Sequence, residues 1–365
     1  MIKINIFRLI NWKFYLYLPG VKLRIERRER ILKKRGLRRY VCYGQLKKIE
    51  TNNVKQQRNM KRILNFVFAL ILMTSCQAQK EKLELNLTKG EIYTQKMISN
   101  MSVIQDINGQ KVNINMSISG KMTYKVTDIQ NSIYDIEVRY ESLSMRMNLP
   151  NGVMEFSSEK NDEKDIFSSL LGIMKDKPFF VKMTKAGKIN EVKNVEALFS
   201  NMFEKFPQLT EVQKQQIQSQ LMQAYGEKAF KGNLEMCSAI FPNSLVSKGD
   251  KWIVKTILES GMAANMETTY ELKEVNDSDC LFIGTSKIET ADKDAYIQSN
   301  GMPLKYDMSG TMSSEIKINK KSGWVIESKI NQTIKGTTQI KDNPQMPGGM
   351  TIPMTMVNQM TITEK

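Results

Sequence analysis

The chain has 365 residues, with 54 Lys or Arg against 38 Asp or Glu, a formal net charge of +16 and no histidine. Without histidine there is no Ser-His-Asp or Cys-His arrangement, no histidine-bearing zinc site and no imidazole base near neutral pH. C-x-x-C, G-x-S-x-G, G-x-G-x-x-G and Walker A patterns are also absent, so an enzyme would be left with carboxylate or Ser-Lys chemistry.

The charge is unevenly placed. Residues 1–59 hold seventeen Lys or Arg, among them Arg27, Arg28, Arg30, Lys33 and Lys34, against Glu26, Glu29 and Glu50, a net +14. Lys61 and Arg62 bring the sum to +16, so residues 76–365 are neutral, with 35 basic and 35 acidic side chains. A pI of about 9.5 would otherwise point to nucleic acid or an anionic membrane. Confined to the amino-terminal end, it does not, and no nucleic-acid partner is expected.

After Lys61 and Arg62 comes an apolar run of eleven residues, 63–73, closed by Met73-Thr74-Ser75-Cys76. A membrane-crossing helix needs about 20 apolar residues, so this run is too short to span. It reads as a lipoprotein signal peptide over 60–75, and Met73-Thr74-Ser75-Cys76 resembles the bacterial lipobox, with Cys76 as the lipid attachment residue. Several acyl chains on one cysteine anchor durably where one holds only reversibly. Such a signal is itself amino-terminal, so Met60 is the expected start and 1–59 a spurious or non-native extension. The alternative is a basic arm for RNA or membrane, with Trp12, Phe14, Tyr15 and Tyr17 as aromatic partners. Gln77 is not acidic, which favours the outer membrane of the cell envelope over retention at the inner one.

Downstream of Cys76, residues 76–84 form a short polar tether, 85–194 a first β-rich half, 195–240 a helical segment and 241–365 a second β-rich half. Val112, Ile114, Met116 and Ile118 alternate with Asn113, Asn115, Ser117 and Ser119, the pattern of a half-buried antiparallel strand. Asn108-Gly109 predicts a tight hairpin, because both residues tolerate the positive φ of a type I′ turn. Pro150-Asn151-Gly152 and Lys185-Ala186-Gly187-Lys188 predict two more. Helices are expected over 195–206, 210–225 and 227–236, with a shorter one within 161–175. Thr210 and Gln213 fit a capping box, and Ile217, Leu221 and Tyr225 share one helical face.

The second half repeats the first. Leu87-Thr88-Lys89-Gly90-Glu91-Ile92-Tyr93 is echoed by Val246-Ser247-Lys248-Gly249-Asp250-Lys251-Trp252, and Tyr124 to Ile129 by Tyr270 to Val275. This predicts two similar antiparallel β-meanders with helices between them, a mainly β fold with a helical insertion (α+β) in curved sheets or a half-barrel. A last strand is expected from the alternation of Ile352, Met354, Met356, Asn358, Met360 and Ile362 with threonines.

Candidate sites are few. Thioethers bind Cu(I), and Met346, Met350, Met354, Met356 and Met360 crowd the end of the chain. The alternation puts Met354, Met356 and Met360 on one strand face, where methionine serves as adaptable apolar filler, so no metal site is assigned. Asn276 to Asp279 and Asp292 to Asp294 lack the ligand and Gly positions of a calcium loop and read as solvated turns. Asp162, Glu163 and Asp165 read as the opening of a helix. Cys237 and Cys280 have one possible pairing in an oxidising compartment and are otherwise small buried hydrophobes. No catalytic or cofactor-binding residue is assigned.

With these residues together, the chain resembles an uncharacterised family of Bacteroidetes lipoproteins of unknown function. The likeness rests on the lipobox at Cys76, the Lys-Gly-acid entries, the helical middle and the phrase Phe241-Pro242-Asn243-Ser244-Leu245-Val246-Ser247-Lys248-Gly249-Asp250-Lys251-Trp252, which is similar to a Pro…Val-x-x-Gly-Asp-x-Trp signature. The resemblance implies no activity or cofactor. The expected function is non-catalytic binding of a hydrophobic ligand or an envelope protein by a lipid-anchored protein. The alternatives are an envelope structural or assembly factor without a ligand pocket and, third, an enzyme using carboxylates or a Ser-Lys pair.

Overall fold

Period-two alternation carries most of the chain into long antiparallel strands. The computed structural model describes residues 80–365 apart from 151, 161–164, 201, 205–206, 208, 261, 300–301, 345 and 365. Segments 1–59 and 60–75, and Cys76 itself, lie outside the described residues. The strands are β1 (Ile92–Ile107), β2 (Gln110–Gln130), β3 (Ile133–Leu149), β4 (Gly152–Ser157), β5 (Phe179–Thr184), β6 (Ile189–Lys193), β7 (Lys251–Ser260), β8 (Met262–Val275), β9 (Asp279–Thr290), β10 (Tyr296–Ser299), β11 (Met302–Asn319), β12 (Val325–Ile340) and β13 (Met350–Thr363). They form one 13-stranded sheet in the order β6-β5-β3-β2-β1-β13-β12-β11-β9-β8-β7, with β4 on β3 and β10 on β11. The fold is therefore mainly β, as expected, but both halves belong to a single sheet, joined where the last strand pairs with the first.

The turns follow their chemistry. Asn108 (φ 54) and Gly109 (φ 83) close the β1–β2 hairpin, and Gly187 (φ 77) turns β5 into β6. The two Lys-Gly-acid entries are hydrogen-bonded alike. Gly90 N–H donates to Val126 O at 2.8 Å and Val126 N–H to Glu91 O at 3.0 Å; Gly249 N–H donates to Leu272 O at 2.7 Å and Leu272 N–H to Asp250 O at 3.1 Å. Both glycines have φ near 90°, which side-chain-bearing residues resist. A register shift follows each entry at the same relative place, between Val126 and Asp128 and between Leu272 and Glu274.

The middle of the chain holds α1 (Ile166–Met174), α2 (Glu211–Tyr225) and α3 (Glu227–Ser238). Asp165 caps α1 by accepting from Ser168 N–H at 3.0 Å. Thr210 and Gln213 make the expected capping box on α2. The side chains of Leu221 and Tyr225, and the residues Asp162 and Glu163, lie outside the described set. The helix expected over 195–206 is corrected to a 3₁₀ turn at Glu196–Phe199. Ser200 leaves it in an extended conformation, and Lys177 Nζ donates to its carbonyl oxygen at 2.9 Å and its hydroxyl at 3.2 Å, so the chain turns aside there. The buried residues Val195, Leu198, Phe199 and Met202 point into the core from that turn.

The sheet curls without closing. Its edge strands β6 and β7 do not pair; α3 packs against both and occupies the seam. Ile189 N–H donates to Glu235 Oε1 at 2.8 Å and Ser238 Oγ to Gly187 O at 2.6 Å, which ties α3 to β6. On the other side a methyl group at Gly232 would stand 2.9 Å from Ile257 O and 3.2 Å from Glu259 N, so the missing side chain lets the helix lie against the β7 backbone. Covering the edges in this way blocks strand addition.

One end of the curl is stoppered by a strap, residues 80–88. Leu83, Leu85 and Leu87 are buried there. The strap bonds to three separate loops: Glu81 N–H to Val246 O at 2.7 Å, Leu85 N–H to Lys185 O at 2.8 Å and Asn86 N–H to Ser322 O at 2.8 Å. Tyr134 Oη adds a bond to Leu85 O at 2.8 Å. Behind it Trp324 meets Tyr93 and Tyr124 at ring distances of 5.0 and 5.2 Å, and Trp252 meets Phe282 edge-on at 5.5 Å. One core thus draws on both halves. Cys237 on α3 and Cys280 on β9 are free thiols.

Candidate functional site

Strand register decides which side chains face the inside of the curl. From the buried Tyr124, Tyr270 and Phe282, alternation along each strand and pairing across the sheet define one inner face. One row across it runs Val254, Thr268, Ser286, Met312, Gln332, Asn358, Met101, Met116, Met147. The row above reads Thr256, Met266, Ile288, Gly310, Ile334, Met356, Val103, Ile114. No Lys, Arg, Asp or Glu falls on this face in any of the paired strands; the charged partners of the cross-strand ion pairs, such as Lys255 with Glu267 at 3.0 Å, lie on the outer one.

The inner face changes its burial from one side to the other. On β8, β9, β11 and β12 it is closed: Met266, Ile288, Met308, Met312 and Ile334 are at most 5% exposed. Met236 and Cys237 of α3, with Leu258 and Tyr306, pack against this cluster. On β1, β2 and β3 the equivalent residues Met101, Met116, Met145 and Met147 are only half-buried, and between the two sides Met356 of β13, also half-buried, packs with Met360 and Ile362 against the closed cluster. Methionine suits such a lining, because its unbranched thioether refills or vacates space at low cost.

Polar groups on this face are neutral. Ser99 Oγ donates to Asn358 Oδ1 at 2.7 Å, and the hydroxyls of Thr268 and Ser286 are 2.7 Å apart. Ser314 Oγ and Thr338 Oγ1 are buried with no hydrogen-bond partner among the described residues. Burial raises the phenols of Tyr124 and Tyr270 above their ordinary value. Cys237 keeps some solvent contact, yet the protein around it pushes its thiol up to about 12. None of these groups is set beside a base, so the interior holds no activated nucleophile among the described residues.

Grooves on the outer face have another character. One of about 390 Å³ is lined by Asn100, Ser117, Arg146 and Asn148 together with Met101 and Met116; Ser117 Oγ donates to Asn100 Oδ1 at 2.9 Å, and Arg146 pairs with Glu155 at 2.9 Å. A second, of about 320 Å³, lies over Asp128, Asp135, Phe180 and Lys182.

The sequence-based candidates fall out as follows. Met354, Met356 and Met360 do share the inner face, joined there by methionines of β1, β2, β3, β8 and β11 among others. Local alternation marks Met116, and the β1–β2 and β2–β3 hairpins set it beside Met101 and Met147; only the junction with Met356 depends on β13 pairing with β1. Asn276 Nδ2 donates to Asp279 Oδ1 at 2.8 Å, and Asp292 Oδ1 accepts from the N–H groups of Asp294 and Ala295, so both acidic runs are turns. No group of three or more His, Cys, Asp or Glu with the spacing of a metal site occurs among the described residues, and no helix there is long and apolar enough to cross a membrane.

Compared with known proteins, residues 131–325, more than half of the chain, match the profile of a family of unknown function (DUF6263). No curated protein matches. Among solved structures, a lipovitellin structure titled for its lipid–protein interactions gives a TM-score of 0.43 at 10% identity, over 76% of this chain and 25% of that one. The chain therefore spans about a quarter of the lipovitellin chain. An outer membrane channel from Pseudomonas putida F1 gives 0.22 at 8% identity, over 76% and 97%, and the β domain of the Bordetella autotransporter BrkA gives 0.19 at 5%, over 74% and 98%.

Proposed function

The chain belongs to this family of unknown function, DUF6263, and we propose that it is a lipid-anchored envelope protein that holds a hydrophobic ligand on the inner face of its curled sheet. One observation carries the reading: an inner face without a single charged side chain on its paired strands, sealed over β8, β9, β11 and β12 and only half-buried at Met101, Met116, Met145 and Met147. An apolar surface of this extent that packing does not bury fully favours a bound partner. The anchor is the part read from sequence, Cys76 at the end of the lipobox-like Met73-Thr74-Ser75-Cys76, with the outer membrane as its destination. The likeness of 241–252 to the Bacteroidetes lipoprotein signature supports the same envelope setting. The protein binds and does not catalyse in this reading.

A photo-crosslinking amino acid placed at Met116, compared with its outer-face neighbour Ser117, tests it in cells. The expected result is a lipid-mass adduct on the protein at position 116 and none at 117. Crosslinks at neither position, or equally at both, would favour an envelope structural factor without a ligand.

A further inference from the structure

The inner face selects by what it lacks. We propose that the ligand it holds is an electrically neutral lipid, with a polar part limited to hydroxyl, ester or amide groups, and that anionic lipids such as free fatty acids are refused. The inference rests on the binding reading above and narrows its ligand class.

Two observations lead there. A carboxylate or phosphate moved among Met101, Met116, Met147 and Met356 meets no cation, because no Lys or Arg stands on the inner face of any paired strand. An ion taken out of water without a partner is strongly disfavoured, and a carboxyl so placed is held protonated instead. The polar groups nearest to them on that face, Ser99 with Asn358 and then Gln332, are neutral. A neutral ligand oxygen or N–H can pair with such groups without bringing a charge.

The test uses the full chain in isolated membranes at pH 7.5 with two diazirine probes of equal chain length, a monoacylglycerol and a fatty acid. Labelled peptides are mapped by mass spectrometry. The expected result is that peptides of β1, β2, β3 and β13 carry the monoacylglycerol probe at least about tenfold above the fatty acid, the scale set by an uncompensated buried charge. Lowering the pH to 5 should narrow the gap as the fatty acid is protonated. Equal labelling of those peptides by both probes at pH 7.5 would overturn the neutral-lipid inference while leaving hydrophobic binding in place. Absence of both probes from those peptides would instead overturn the binding reading itself. Met116→Lys gives an independent arm: a cation on the inner face should turn the preference towards the fatty acid, whereas Ser117→Lys on the outer face should leave it unchanged.

Discussion

The two sides of the inner face are made of the same residues and buried to different extents. Met266, Met308 and Met312 on one side and Met101, Met116 and Met147 on the other occupy corresponding inward positions, yet only the first set is sealed. The sealed side has α3 against it through Met236 and Cys237. Inward apolarity is thus a property of the strands, while closure is supplied by the helix. A surface that is apolar without being closed is under no stability requirement to stay so, which is why the contrast bears on function.

The largest expected effect tests the sealed side. Phe282→Ala, which removes a fully buried ring facing Trp252 and Phe241, should cost about 3–5 kcal/mol by denaturant unfolding. Met312→Ala should cost about 2–4 kcal/mol, and Met116→Ala, half-buried on the open side, less than about 1 kcal/mol. Equal losses at 312 and 116 would break the comparison.

A smaller pair sharpens the likeness of the two halves. Gly90→Ala and Gly249→Ala should each cost about 1–2 kcal/mol, since each forces a side chain into positive φ with nothing within 4 Å of it. Gly187→Ala should cost more than either, because its methyl would also collide with the Ser238 carbonyl.

Acid should act on the entry of the first half. Lys89 and Gln130 hold the exposed Asp128 carboxyl down to about 2, from an ordinary 3.8. Its folded value is depressed, so its contribution is present above about pH 4 and lost as pH falls from 4 towards 2. Asp128→Asn should remove that part of the acid dependence, measured by carboxyl NMR titration and unfolding against pH. The smallest effect is chemical: with its thiol pushed up to about 12, Cys237 should resist alkylation at pH 8 in the folded protein and react on unfolding, as read by peptide mapping.

Local features of this fold were legible and long-range ones were not. Asn108-Gly109 and the Thr210–Gln213 box each declare their structure within four residues, and the repeated Lys-Gly-acid phrase announced two like entries. The pairing of β13 with β1 joins residues more than 240 positions apart, and no local pattern encodes it. The junction of Met356 with the methionines of β1, β2 and β3 depends on that pairing, so alternation within each strand did not reveal the continuous surface. At 195–206 the apolar spacing suited a helix, but a lysine from elsewhere, Lys177, claimed the Ser200 carbonyl that the next turn would have used.

The strap over 80–88 also has a mechanical meaning. Its bonds to Val246, Lys185 and Ser322 reach loops of both halves at once. Tension entering the fold at residue 80 is therefore divided among the approach to β7, the β5–β6 turn and the β11–β12 turn, and none of the three need open alone. Three residues, Gln77 to Gln79, lie between Cys76 and residue 80, a reach of at most about 14 Å over four steps of the chain. A protein tethered at Cys76 would put its load on these three bonds together before it reached β1.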